Sequence, residues 1–136
     1  MQFIQDNAWM IFIAISSALM LLWSFFGNRV RGVEDVDTVA ALQLINHKNA
    51  QILDVREEKE FKVGHILNAK LIPLGKLTER IGEMERYREQ PVLVMCSRGQ
   101  RSAAACVMLK KEGFAKAYNL AGGIQAWKKA GLPLEK

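Results

Sequence analysis

Val92-Leu93-Val94-Met95-Cys96-Ser97-Arg98-Gly99-Gln100-Arg101-Ser102-Ala103 is the stretch from which the rest of the chain can be read. An apolar, β-branched run stops at a cysteine, a short loop with one glycine and two arginines follows, and an alanine-rich run begins directly after it. The pattern predicts a buried strand, an anion-sized loop and the first turn of a helix. Amide N–H groups of such a loop converge on one point, and the helix dipole adds positive potential there. Arg98 and Arg101 add full charges, so Cys96 is expected to favour the thiolate. A lowering of about two units from roughly 8.5 raises the thiolate fraction at pH 7 from a few per cent to about three quarters. Cys96 is then a nucleophile that needs no histidine base, and the loop contains none.

Outward from this stretch, short apolar runs alternate with helical spacing. Asp37 is placed to cap a helix carrying Val39, Leu42, Leu44 and Ile45, which ends near residues 46–48. Gln51 to Val55 reads as a buried strand, Glu57 to Val63 as a brief helix stopped by Gly64, and Ala69 to Ile72 as a strand closed by Pro73. Leu77, Ile81, Met84 and Tyr87 recur at helical spacing and predict one helix over residues 74–88. Pro91 to Met95 is the strand feeding the loop, and Ser102 to Lys111 the helix leaving it, ended by Gly113. Ala115 to Leu120 is the last strand, and a helix carrying Trp127 follows Gly122-Gly123. Strands alternating with helices predict an α/β fold, a parallel sheet flanked by helices on both faces. Cys96 then sits at the carboxyl end of a strand, where such sheets gather their ligands.

The N-terminal part reads differently. No charged residue occurs between Asp6 and Arg29, and residues 8–27 are dominated by Ala, Trp, Met, Ile, Phe and Leu. At ~1.5 Å per residue the run matches a hydrocarbon layer of ~30 Å, so one N-terminal transmembrane helix is expected. A cleaved signal peptide predicts a basic start and a small-residue cleavage site, and neither is present. Trp23, Phe25 and Phe26 stand where an interfacial aromatic belt would lie, and Arg29 and Arg31 follow the run with no counterpart before it. By the positive-inside rule the C-terminal domain faces the cytoplasm. Ala14 and Ala18 have the small-xxx-small spacing that allows a homodimer through this helix. The expected organisation is a tail over 1–7, the span over 8–27, a linker over 28–36 and a domain over 37–136.

The chain of 136 residues carries a net charge of +5, but its lysines and arginines are scattered, with no aromatic-interleaved basic run, so a nucleic-acid partner is not expected. The two cysteines, Cys96 and Cys106, lie ten positions apart, the second well into a helix and past the ~7 Å bridging limit. Cys106 reads as a small core residue. No Cys-x2-Cys or histidine pair accompanies either one, so no metal is expected.

Cys-x-x-Gly-x-Arg-Ser after a strand resembles the active-site loop of the rhodanese (sulfurtransferase) family. Leu53-Asp54-Val55-Arg56, Gly64-His65-Ile66 with Asn68-Ala69 and Ile72-Pro73, and Leu120-Ala121-Gly122-Gly123 with Trp127 match that family in order and approximate spacing. The resemblance covers residues 37 to 133, and the added N-terminal helix is similar to the single-pass, membrane-anchored bacterial members. It implies a catalytic Cys96 that carries a persulfide sulfur, with Ser97, Arg98, Gly99, Gln100, Arg101 and Ser102 binding the substrate. It implies a small sulfur-containing anion as donor, a thiol or cyanide as acceptor, and no cofactor beyond the persulfide. Related phosphatases place one more residue between cysteine and arginine, so the four intervening residues here resemble the sulfur-transferring kind. The expected location is the inner (plasma) membrane. A membrane-tethered relay or interaction module, with a sulfur-accepting protein as partner, is the alternative. Asp54 and Arg56 are read as fixing nearby loops, His65 as a hydrogen-bonded packing histidine, and His47 as exposed.

Overall fold

A computed structural model describes the backbone of residues 1–30 and 32–136, and the side chains outside 25–31. The chain divides into two compact units, Met1–Gly32 and Val33–Lys136.

The first unit holds helices α1 (Gln2–Asp6) and α2 (Ala8–Val30). Asn7 between them donates from its amide to the Phe3 carbonyl at 2.9 Å. Trp9, Phe12, Leu19, Leu22 and Trp23 of α2 are exposed. Among the described residues no helix is long and apolar enough to cross a membrane. The transmembrane helix expected over 8–27 is therefore not supported among the described residues. Phe25, Phe26, Arg29 and Arg31, on which the aromatic belt and the orientation rest, lie outside the residues whose side chains are described.

The second unit is an α/β sandwich. Its strands are β1 (Glu34–Val36), β2 (Gln51–Asp54), β3 (Lys70–Leu71), β4 (Val92–Met95) and β5 (Ala117–Leu120). They form one sheet in the order β1-β5-β4-β2-β3, every pairing parallel. The helices are α3 (Thr38–His47), α4 (Glu58–Val63), α5 (Leu77–Arg80), α6 (Gln100–Lys111) and α7 (Gly123–Lys129).

Period-2 alternation along β4 splits the core into two layers. Val92, Val94 and Cys96 face one side with Cys106, Leu109 and Phe114, while Leu93 and Met95 face the other with Ala41, Leu120, Ile124 and Trp127. Both faces are thus covered, as parallel strands require. Asp37 caps α3, accepting from the Ala40 amide at 2.8 Å.

Two segments depart from the expectation. β1 lies inside the stretch read as linker; its Glu-Asp-Val carries no apolar run, and it is a strand because it pairs with β5 at the sheet edge. Residues 74–87 form a 3-10 turn at 74–76, the short α5 and a 3-10 segment at 81–87 instead of one helix. Gly75 and Gly82 weaken α-helix there, while burial of Leu77 and Met84 preserves the apolar stripe.

Candidate active site

β4 is buried along its whole length and delivers Cys96 to the carboxyl edge of the sheet, where the sulfur-bearing residue is only 1% exposed. The chain then turns through Ser97 and Arg98 to Gly99, which precedes α6 with φ +99°. That left-handed conformation suits glycine and swings the Gly99 amide back to donate to Cys96 Sγ at 3.0 Å. α6 starts at Gln100, two residues earlier than the alanine run suggested, because the loop amides close onto the sulfur at that point.

Burial pushes the Cys96 thiol up, and the polar contacts of the Ser102 side chain and the amides of Ser102, Arg98 and Gly99 outweigh it. The net direction is down, toward the anion. Ser102 Oγ stands 3.3 Å from the sulfur and donates to Asn119 Oδ1 at 2.5 Å. Asn119 in turn donates from Nδ2 to Asp35 Oδ1 at 2.9 Å and to the Gly99 carbonyl at 3.1 Å. Asp35 and Asn119 are register partners across β1 and β5, which brings the edge strand's carboxylate to the site.

The two arginines separate. Arg101 donates through both terminal nitrogens to Glu60 of α4, at 2.9 and 3.0 Å, and also to Ser97 Oγ at 3.1 Å. Ser97 Oγ donates to Glu60 Oε1 at 3.1 Å. Glu60 closes a capping box on α4 by accepting from the Glu57 amide at 2.8 Å. The Arg101 guanidinium foremost holds the Glu60 carboxyl down at about 2, against the opposing effect of burial. The Arg98 side chain is exposed and has no hydrogen bond or ion pair among the described residues. Of the two guanidinium groups it is the unpaired one, whereas Arg101, besides Glu60, also interacts with the Cys96 sulfur.

Around this centre the remaining polar residues bond to one another and to neighbouring elements. Arg56 binds both carboxylate oxygens of Asp54, with its shortest contact at 2.8 Å, and donates to the Gly64 carbonyl at 2.7 Å, tying β2 to the end of α4. His65 bonds the Phe61 carbonyl and Glu135, stacks on the Phe61 ring at 3.7 Å, and bridges to the C-terminal tail. His47 is exposed and Cys106 is a buried free thiol, pushed up to about 12 by burial.

The family model of the rhodanese-like domain matches residues 37–130. The chain belongs to the rhodanese-like domain family. The uncharacterised protein YqhL of Bacillus subtilis is 42% identical over 81 residues, which are 60% of this chain and 63%, less than two thirds, of that protein. A thiosulfate sulfurtransferase, GlpE, of Vibrio cholerae is 34% identical over 100 residues, 74% of this chain and 92% of GlpE. Among solved structures, the polysulfide-sulfur transferase homodimer of Wolinella succinogenes superposes with a TM-score of 0.68 at 28% identity, covering 82% of this chain and 87% of that one. At the family level these likenesses support sulfur transfer.

Within the rhodanese-like domain the structure groups Gly99 and Ser102 around the Cys96 thiol, puts Ser97 and Arg101 on Glu60, and leaves Arg98 and Gln100 exposed. Sequence reasoning missed Glu60, Asn119 and Asp35. Only Glu60 carried a local signal, the Glu57 capping box, and that signal points to a helix end rather than to a loop 41 positions away.

Proposed function

We propose that the domain is a sulfurtransferase that works through a Cys96 persulfide. The observation that carries this reading is the convergence of the Gly99 amide at 3.0 Å, with the Arg98 and Ser102 amides, on a buried thiol drawn toward its anion. In the first step the Cys96 thiolate attacks the outer sulfur of thiosulfate. A new S–S bond forms, the bond to the sulfonate sulfur breaks, and sulfite leaves with the electron pair. In the second, cyanide or an acceptor thiolate attacks the terminal persulfide sulfur, takes it away, and regenerates the Cys96 thiolate. No proton or electron is needed beyond those of the reactants. The loop amides serve the anionic persulfide as an oxyanion hole serves its oxygen, where one donor is typically worth about 10²–10³ in rate.

Arg98 attracts and orients the doubly charged donor, and Arg101 holds the loop to α4 through Glu60. Ser97, Gly99, Gln100 and Ser102 complete the donor's binding loop, with the persulfide as the only carried group and no metal or organic cofactor. We further propose that α2 rests in a lipid bilayer of the inner membrane with the domain in the cytoplasm. Its exposed Trp9, Met10, Ile11 and Phe12, at successive steps of ~100° about the axis, give it apolar side chains all round, which a water-facing helix lacks.

Steady-state transfer of sulfur from thiosulfate to cyanide tests the catalytic reading. Cys96→Ala should abolish turnover, and Arg98→Ala should raise KM for thiosulfate about tenfold with kcat little changed, the loss of one exposed charge-assisted contact. Parent-level turnover in Cys96→Ala would refute the assignment. Negligible turnover by the parent protein, with Cys96 persulfide present on protein taken from cells, would move the acceptor to a partner protein.

A further inference from the structure

Three hydrogen bonds fix where the Ser102 hydroxyl hydrogen lies. Asn119 Nδ2 faces the Asp35 carboxylate at 2.9 Å and the Gly99 carbonyl at 3.1 Å, and both are acceptors only. The amide orientation is therefore set, and Asn119 Oδ1 is the atom 2.5 Å from Ser102 Oγ. An amide oxygen carries no hydrogen. The single hydroxyl hydrogen of Ser102 thus sits on the bond to Asn119, and the 3.3 Å contact between Ser102 Oγ and Cys96 Sγ can be filled only by the thiol's own hydrogen. The Ser102 side chain draws Cys96 toward its anion only when the hydroxyl donates to sulfur; with that hydrogen on Asn119, Ser102 stabilises the protonated sulfur instead, and of these contacts the loop amides alone pull toward the anion. Ser102 becomes a donor to the anion only by leaving Asn119 Oδ1 without a partner in a site where Asn119 is 2% exposed and Ser102 fully buried.

We propose that Asn119 is a positioning residue that holds the Ser102 hydroxyl hydrogen away from Cys96 and so keeps part of the nucleophile's reactivity in reserve. The loop amides draw the sulfur toward the anion, while the relay from Asp35 through Asn119 to Ser102 draws it toward the thiol. The charged groups around the sulfur are Arg98 and Arg101 on its own loop and helix, Glu60 on α4, Asp35 on β1, and the Asp54–Arg56 pair at the end of β2, whose Asp54 is register partner of Met95. Exchanging Asn119 or Ser102 for alanine removes none of these charges. A change in the Cys96 titration in those variants therefore reports the hydroxyl.

The inference takes Cys96 to be the reacting group of the proposed function, but its test needs no sulfur donor and so reads separately from turnover. The test is the pH profile of iodoacetamide alkylation of Cys96, mapped by peptide mass, in the parent, Asn119→Ala, Ser102→Ala and the double variant, each checked for native circular dichroism. Asn119→Ala should move the midpoint down by about one unit, or about tenfold faster alkylation below it, as the freed hydroxyl turns to the anion. Ser102→Ala should leave the midpoint in place or lower it, and the double variant should match Ser102→Ala. A rise in Ser102→Ala would show the hydroxyl already donating to sulfur and would overturn the proposal, even if Asn119→Ala fails to fold. An unmoved midpoint in a folded Asn119→Ala would overturn it equally.

Discussion

Gly123→Ala should loosen the catalytic loop from behind. Gly123 opens α7 with φ +58°, and a Cβ built there would lie 2.3 Å from the Cys96 carbonyl oxygen, 2.6 Å from the Ser97 carbonyl carbon and 2.7 Å from its oxygen. Against an ordinary contact of 3.4 Å the shortfall is about 1 Å, and the atoms in the way are backbone, which cannot swing aside. The loop must retreat, straining the bonds from the Ile124 amide to the Cys96 carbonyl, 2.8 Å, and from the Gln125 amide to the Ser97 carbonyl, 3.3 Å. The left-handed conformation costs alanine about 1–2 kcal/mol and the two weakened hydrogen bonds about 1 kcal/mol each, so about 3–4 kcal/mol in all. For a domain of this size that is a fall in Tm of about 15 °C. A retreat of about 1 Å at the nucleophile typically costs about 100-fold in rate. Thermal melts with sulfur-transfer assays read both effects. Gly131→Ala is the control: at φ +73° its Cβ would meet nothing within 4 Å, so only the backbone cost of about 1 kcal/mol applies. Equal, small effects in the two variants would refute the reasoning.

Glu60→Gln should cost about 1 kcal/mol, since Arg101 and Glu60 are both partly exposed, and urea melts would show it. The folded-state carboxyl of Glu60 is held at about 2 against the ordinary 4.5, so its contribution is full above pH 4.5 and is lost as pH falls toward 2. The stability gap between parent and variant should close across that window, and a gap that persists at pH 2 would contradict the ion pair. Cys106, buried and pushed up to about 12, should resist iodoacetamide in the native protein and react only after unfolding, so native alkylation should stop at one thiol. Leu109→Ala, at a fully buried position on α6, should cost about 3 kcal/mol in a urea melt without moving the Cys96 alkylation profile.

The strand, the loop and the helix around Cys96 were legible because each has a local cause: a β-branched run, a glycine able to take φ +99°, and alanines that favour helix. Asp37 as a cap and the helix-ending Gly113 were legible for the same reason. β1 was not, since three residues, two of them acidic, become a strand only through β5. The segment 74–87 kept its apolar spacing while changing helix type, which spacing alone does not encode. Arg98 and Arg101 looked equivalent in sequence; only the fold, by bringing α4 against the loop, gives Arg101 a carboxylate and leaves Arg98 to solvent. Asn119 gave no sign either, because its role follows from register with Asp35 and from the position of Ser102 one helix away.

Mass spectrometry of the parent protein after incubation with thiosulfate tests the central claim most directly. The account predicts the added mass of one sulfur atom on the Cys96 peptide, removed by cyanide with release of thiocyanate, and no addition on Cys106. A protein that stays unmodified at Cys96 under saturating thiosulfate, while still delivering sulfur to cyanide, would contradict it.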